Sequence, residues 1–152
     1  MAPRDTPEAA RQRDERFRRT SSEHLQRYLA TGGDEGYISP ESGMPNLILT
    51  TIGRRTGEPY ATPLYYGEDE GRYILVASYA GADKHPKWYL NLVANPAVEV
   101  QIRGERFAAR ARTATGEEKP ALWAMMAARY PRYDLFQHET ERDIPVIILE
   151  RA

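Results

Sequence analysis

The sequence predicts an α+β fold that is mainly β: about six antiparallel strands closed as a small barrel, with helices flanking it. Two observations carry that prediction. From Asn46 onward, short apolar and β-branched runs (NLILTTIG, ATPLYYG, RYILVAS, AVEVQIR, RFAARART and PVIILE) alternate with tight turn signals. Only three stretches of the chain switch to helical spacing. The 152 residues suffice for one well-buried core and not for two full domains.

Taken in order, Thr6 as N-cap and Pro7 at the first helical position open a long charged helix that stops at Gly32 and Gly33. Its apolar stripe of Phe17, Leu25, Tyr28 and Leu29 is thin, so its first half is expected to contribute little packing. Residues 1–36 therefore read as an amphipathic helix and linker, partly mobile, and residues 37–152 as the barrel domain. The strands NLILTTIG and ATPLYYG follow, and the hairpin signal EDEG leads into RYILVAS. A helix over 84–94 carries Trp88 and Leu92 four apart and ends at Asn95-Pro96. The strands on either side of Gly104-Glu105 come next. The capping box Thr115-x-x-Glu118 opens a helix over 116–129, and Tyr130, Tyr133 and Phe136 then read as a loose turn, because Pro131 interrupts helical regularity. PVIILE closes the barrel.

Composition narrows the chemistry. With no cysteine, thiol nucleophiles, disulfides, iron–sulfur clusters and thiolate zinc sites are excluded. His24, His85 and His138 are too scattered for a metal-binding pair, so no metal is expected. A net charge of −1 gives no general affinity for nucleic acid. No apolar run approaches the roughly 20 residues that span a bilayer, and the polar start has no signal-peptide core. A cytoplasmic protein is expected, with Arg11, Arg13, Arg16, Arg18 and Arg19 offering a peripheral contact with the inner face of the cell membrane. Ten tyrosines against three phenylalanines suit half-wet aromatic walls around a flat polar ligand.

Three groups of residues point to a site. Gly53-Arg54-Arg55-Thr56-Gly57 is a hairpin with glycine at both ends and two forked donors, which suits an anion, while lacking the spacing and lysine of a P-loop. Ala80-Gly81-Ala82-Asp83-Lys84-His85-Pro86-Lys87-Trp88 runs from a strand into a helix start, with Lys84 and Lys87 adding charge there. Two such loops together suit a ligand with phosphate or carboxylates at one end. Tyr65, Tyr66, Tyr130, Tyr133 and Phe136 supply rings, and Ser78 supplies a hydroxyl that no triad accompanies.

The runs LILTTIGRRTGEPYATPLYY, RYILVAS and GADKHPKWYLNLVANPAVEV together resemble the deazaflavin-dependent nitroreductase family, continuously from Asn46 to Gly104 and more loosely to PVIILE. The resemblance implies a split β-barrel, of the kind found in FMN-binding pyridoxamine-phosphate oxidases, that uses coenzyme F420, a reduced 8-hydroxy-5-deazaflavin. It assigns Arg54, Arg55 and Thr56 to one anion site and Lys87, Trp88, Tyr89, Leu90 and Asn91 to the other. Tyr60, Ala61, Thr62, Pro63, Leu64 and Tyr65, with Val76, Ala77, Ser78 and Tyr79, would line the ring system, and Tyr133 would close over it. Tyr65, Ser78, Tyr130 and Tyr133 would face the substrate and act catalytically. Tyr60 stands where the family pattern leads one to expect a basic residue, and Phe136 lacks a tyrosine's hydroxyl.

The implied activity is hydride transfer from reduced coenzyme F420 to a planar activated acceptor: a quinone such as menaquinone, a nitroaromatic or nitroimidazole, or an enone. The alternatives are an FMN-dependent split-barrel oxidoreductase, against which Lys84 and Lys87 would argue by holding a polyglutamate tail, and a non-catalytic F420-binding protein.

Overall fold

A computed structural model describes residues 6–152; residues 1–5, the start of the polar N-terminal stretch, lie outside the described part. Helix α1 (Pro7–Thr31) begins as its sequence dictates, with the Thr6 side chain accepting from the Ala9 N–H at 3.1 Å, and ends at Gly32 in the left-handed region. Gly33 follows at φ +87°, where an added Cβ would lie 2.8 Å from the Arg103 Cα. That approach of helix to sheet requires glycine.

Among the described residues seven strands, one more than expected, form a single antiparallel sheet. They are β1 (Asn46–Ile52), β2 (Pro59–Tyr65), β3 (Gly67–Asp69), β4 (Arg72–Val76), β5 (Ala97–Ile102), β6 (Glu105–Thr113) and β7 (Val146–Arg151), in the order β2-β1-β5-β6-β7-β4-β3. The extra strand is β3: Glu70 and Gly71, both at positive φ, close a two-residue hairpin and turn the expected EDEG loop into a short ladder with β4. The sheet curls until β2 comes near β4, and the barrel stays split between them. β2 is an edge strand, and Pro59 and Pro63 suit it because an edge position spares them a ladder N–H.

The faces of β4 and β7 alternate cleanly. Leu75, Ala77, Ile147 and Leu149 enter the barrel core with Leu47, Leu49, Val98 and Val100, closed by Trp88 and Leu92 of helix α2 (Lys87–Ala94). Ile74, Val76, Val146 and Ile148 face outward, under Leu122 and Met126 of α3 (Lys119–Arg129) and Tyr133 and Phe136 of α4 (Arg132–Glu139). Both faces are therefore dry, which explains why these strands read as continuous apolar runs.

Three helix boundaries differ from expectation. α2 begins at Lys87 behind Pro86, so residues 84–86 of the expected helix are loop, preceded by a short 3-10 turn over Tyr79–Gly81. The Thr115–Glu118 box forms, with the Thr115 N–H donating to Glu118 Oε1 at 2.9 Å and the Glu118 N–H to Thr115 Oγ1 at 3.3 Å, but regular helix starts only at Lys119. The stretch read as a loose turn is α4: Pro131 precedes its first residue, where a fixed φ helps and no N–H is missed. No described helix is long and apolar enough to cross a membrane.

Candidate functional site

The split in the barrel is a cleft of about 1500 Å³, bounded by β2, the loop leaving β4, the start of α2, α4 and α1 from Glu8 to Leu25. It gathers most of the expected residues. Arg54, Tyr60, Ala61, Thr62, Pro63, Leu64, Tyr65, Val76, Ser78, Tyr79, Lys87, Trp88, Leu90, Tyr130 and Tyr133 all line it. Because β2 is the sheet's terminal strand, one side of its backbone is free to meet a flat ligand along the cleft wall.

Five expected residues are placed elsewhere. Arg55 is exposed off the cleft, and Thr56 shapes the turn, its Oγ1 accepting from the Glu58 N–H at 3.1 Å. Ala77 is wholly buried in the barrel core. Tyr89 packs on His85 and shares a hydrogen bond with Thr113 Oγ1. Asn91 is buried beneath the cleft, where its Oδ1 accepts the Arg54 N–H at 3.1 Å and its Nδ2 donates to Thr51 Oγ1 at 3.1 Å. It holds the arginine hairpin against α2.

The cationic end differs from the sequence reading in one respect. Lys84 lines the cleft and is exposed, but its ammonium is shared with Asp14 of α1, to which it is paired at 2.5 Å. Arg54 and Lys87, both exposed and both lining the cleft beside the start of α2, have no such carboxylate partner among the described residues. The Tyr79 hydroxyl also donates to Asp14, and Phe17 meets the Tyr79 ring edge-on at 5.1 Å. Burial first, then the Asp14 hydrogen bond, push Tyr79 up to about 12, so it stays a neutral donor. The first half of α1 is thus a wall of the site.

At the aromatic end, Tyr65 meets Tyr130 edge-on at 5.2 Å, and Tyr130 meets Tyr133 at 5.0 Å. Tyr133 is only 3% exposed, and Trp123 of α3 flanks it at 6.3 Å. Burial raises the pKa of both Tyr130 and Tyr133. A directed hydrogen-bond chain ends at Tyr65: the Met44 N–H donates to Ser42 Oγ at 3.2 Å, and the Ser42 hydroxyl donates to the Tyr65 oxygen at 3.0 Å. The Tyr65 proton is therefore left to point away from Ser42, polarised by the chain behind it.

Sequence reasoning missed Asp14, Phe17, Ser42 and Arg142 as parts or supports of the site, and named His85 only as one member of the loop before α2. Asp14 was hidden among alternating charges, Ser42 in a linker, and Arg142 in a loop after the last helix; no local pattern marks any of them.

A split barrel with a cationic hairpin and helix start at one end of its cleft and stacked phenols at the other defines a coenzyme-binding oxidoreductase scaffold. Comparison with known proteins agrees. The F420H(2)-dependent quinone reductase family matches residues 19–151, and the chain belongs to that family. It is 36% identical over 127 residues to the F420H(2)-dependent quinone reductase Rv1261c of Mycobacterium tuberculosis, covering 82% of this chain and 85% of that one. A solved F420-H2 dependent reductase, FDR-A, superposes with a TM-score of 0.65 at 40% identity, over 70% of this chain and 94% of that one. A second solved chain, described as a domain-swapped dimer, superposes with a TM-score of 0.67 at 36% identity, over 85% and 96%.

Proposed function

We propose that the chain takes reduced coenzyme F420 and reduces quinones, with nitroaromatics and enones as further planar acceptors. One observation carries this reading: a single cleft joins exposed Arg54 and Lys87 to the Tyr65–Tyr130–Tyr133 cluster and Ser78. A long coenzyme with an anionic tail and a flat ring matches that polarity, and a cleft of about 1500 Å³ has room for coenzyme and acceptor together.

Arg54 and Lys87 would hold the phosphate or glutamate carboxylates, and the free edge of β2 with Val76 would flank the ring system. When bound, the reduced deazaflavin supplies a hydride rather than single electrons. The protein's part would then be to hold the acceptor against the ring and to polarise it. Tyr65 and Tyr130 stack the acceptor. The Tyr65 hydroxyl, backed by Ser42, or the Ser78 hydroxyl donates to the oxygen on which negative charge develops. The buried, neutral phenols keep water from the reacting face.

We assign the substrate to the membrane quinone pool of the cytoplasmic side, because Arg11 and Arg18 of α1 line the cleft, Arg16 and Arg19 are exposed on the same helix, and all four can meet anionic headgroups. Mixing the protein with reduced coenzyme F420 and a menaquinone analogue, and following loss of the reduced coenzyme's absorbance, tests the activity. Flotation with anionic liposomes, with and without residues 1–30, tests the membrane contact. Binding of F420 with no oxidation by any quinone or nitro acceptor would reduce the protein to a coenzyme carrier.

A further inference from the structure

Between β4 and α2 the backbone takes a course that few residues accept. Tyr79, Ala80 and Gly81 stand in succession at φ 44°, 51° and 80°, and two of the three carry a Cβ. A Cβ on Gly81 would lie 2.7 Å from Glu139 Oε2 and 3.2 Å from the Phe136 carbonyl, so α4 presses on the loop from outside. What holds the loop is Arg142, from the segment between α4 and β7. Its Nε donates to the Ala82 carbonyl at 2.7 Å. Nη2 donates to the Ser78 carbonyl at 2.8 Å and the Ala77 carbonyl at 3.2 Å. Nη1 meets the Ala77 carbonyl at 3.3 Å and His85 Nδ1 at 3.3 Å. A guanidinium has five N–H donors and no acceptor, and here all five find a partner.

The last of these contacts fixes the chemistry of His85. A guanidinium stays protonated, so the nitrogen facing it must offer a lone pair. Nδ1 is therefore unprotonated, and the ring is neutral with its proton on Nε2. Burial and the nearby Arg142 charge lower the His85 pKa and act in the same direction. Tyr89 packs on the ring at 4.9 Å, and His85 lines the cleft immediately before Pro86, Lys87 and Trp88.

We propose that His85 is a further binding residue for the coenzyme, presenting a neutral Nε2–H donor to an anionic oxygen of its tail, with Arg142 as the positioning residue that sets the tautomer and the loop. The division of labour is specific. Arg54 and Lys87 attract the tail through charge, which salt screens, whereas His85 adds a directional contact that salt affects little. This assignment rests on the reading of the cleft as the F420 site.

The test uses two isosteres: the glutamine amide nitrogen overlays Nε2, and the asparagine amide overlays Nδ1. H85Q keeps a donor into the cleft and H85N does not. Coenzyme affinity is measured by quenching of tryptophan fluorescence across a salt series. H85N is expected to weaken F420 binding by about five- to tenfold, the size of one net hydrogen bond. H85Q is expected to restore most of that, with the salt slope of the wild type in both. The deazaflavin lacking phosphate and glutamates should bind all three proteins equally, since it lacks the acceptor. In the coenzyme-free protein, ¹⁵N NMR should show His85 Nδ1 unprotonated and Nε2 protonated at neutral pH, and R142M should lose that preference. Equal F420 affinities for wild type, H85N and H85Q, or a shallower salt slope in H85N, would overturn the assignment while leaving F420 binding intact. Absence of F420 binding by the wild type would overturn both readings.

Discussion

The Tyr79 hydroxyl donates to the carboxylate of Asp14, 65 residues away in sequence, and the same carboxylate takes Lys84 Nζ at 2.5 Å. With the Arg13 guanidinium 5.5 Å from the Tyr79 ring centroid and Phe17 edge-on to that ring, a weakly apolar stretch of helix becomes a fixed wall of the cleft. Replacing Asp14 by Ala should speed tryptic cleavage at Arg11, Arg16, Arg18 and Arg19 severalfold. The pair is partly solvated and worth less than about 1 kcal/mol globally, so Tm should fall by no more than about 4 °C. Unchanged cleavage rates would show that other contacts hold the helix.

The pH range of this latch follows from the two members whose titration the fold shifts, Asp14 and Tyr79. Burial pushes the Asp14 carboxyl up, but the hydrogen bonds from Lys84 and Tyr79 outweigh it and leave it below 3.8. A lowered carboxyl contributes fully above its unfolded value and loses its contribution as pH falls through the folded one. Burial, then Asp14, raise Tyr79 from 10.0 to about 12, so its contribution is complete below 10.0 and fades as pH rises through about 12. Amide-exchange protection of residues 10–18, corrected for intrinsic rates, should be level between about pH 4 and about pH 10 and drop on either side. A drop inside that interval would assign the latch to a different titrating group.

The two hairpin arginines, equivalent in the sequence, are not equivalent in the fold: Arg54 lines the cleft and Arg55 does not. R54A should weaken F420 binding by about tenfold, as loss of a charge-assisted contact implies, and flatten its salt dependence. R55A should change affinity by less than about twofold, the share of an unpaired surface charge at ordinary ionic strength. Equal effects would mean that the hairpin moves when ligand binds.

How far the sequence could be read depended on how local each determinant is. Thr6, Pro7, Gly32 and the Thr115–Glu118 box act within one turn, and each does what its residue type implies. The sheet was legible because six of its strands carry apolar runs, whereas Gly67–Asp69 has none and pairs only because Glu70 and Gly71 bend the chain back. Pro131 can end a helix or precede one, and only the packing of Tyr133 and Phe136 on Ile74, Val76 and Ile148 decides between them. Asp14 with Lys84, and Arg142 with His85, join segments 70 and 57 residues apart, and such pairings leave no periodicity to detect.

Tyr133 separates a structural role from a chemical one. At 3% exposure it is packed among Tyr130, Trp123 and the outer face of β4 and β7, so Y133A should cost about 3–5 kcal/mol, as a large buried ring does. Y133F keeps the ring and should leave the urea midpoint nearly unchanged. If its hydroxyl serves the acceptor, Y133F should lower kcat with the coenzyme affinity intact. A Y133A protein as stable as wild type would mean that the ring sits loosely over the cleft.

Asn91 links the binding hairpin to the core, and its loss should be felt in both places. Its amide bridges the Arg54 N–H and Thr51 Oγ1, and it is only 6% exposed. N91A leaves those two groups without their partner in a buried setting, at a cost of about 1–3 kcal/mol visible in urea denaturation. It also frees the Gly53–Gly57 turn from α2, so Arg54 must be ordered again when coenzyme binds. F420 affinity should then fall in N91A with the salt slope of the wild type, because every cation is still present. Destabilisation with unchanged affinity would show that the turn is held in place by its own internal bonds, Gly57 N–H to the Gly53 carbonyl and Glu58 N–H to Thr56 Oγ1, without help from α2.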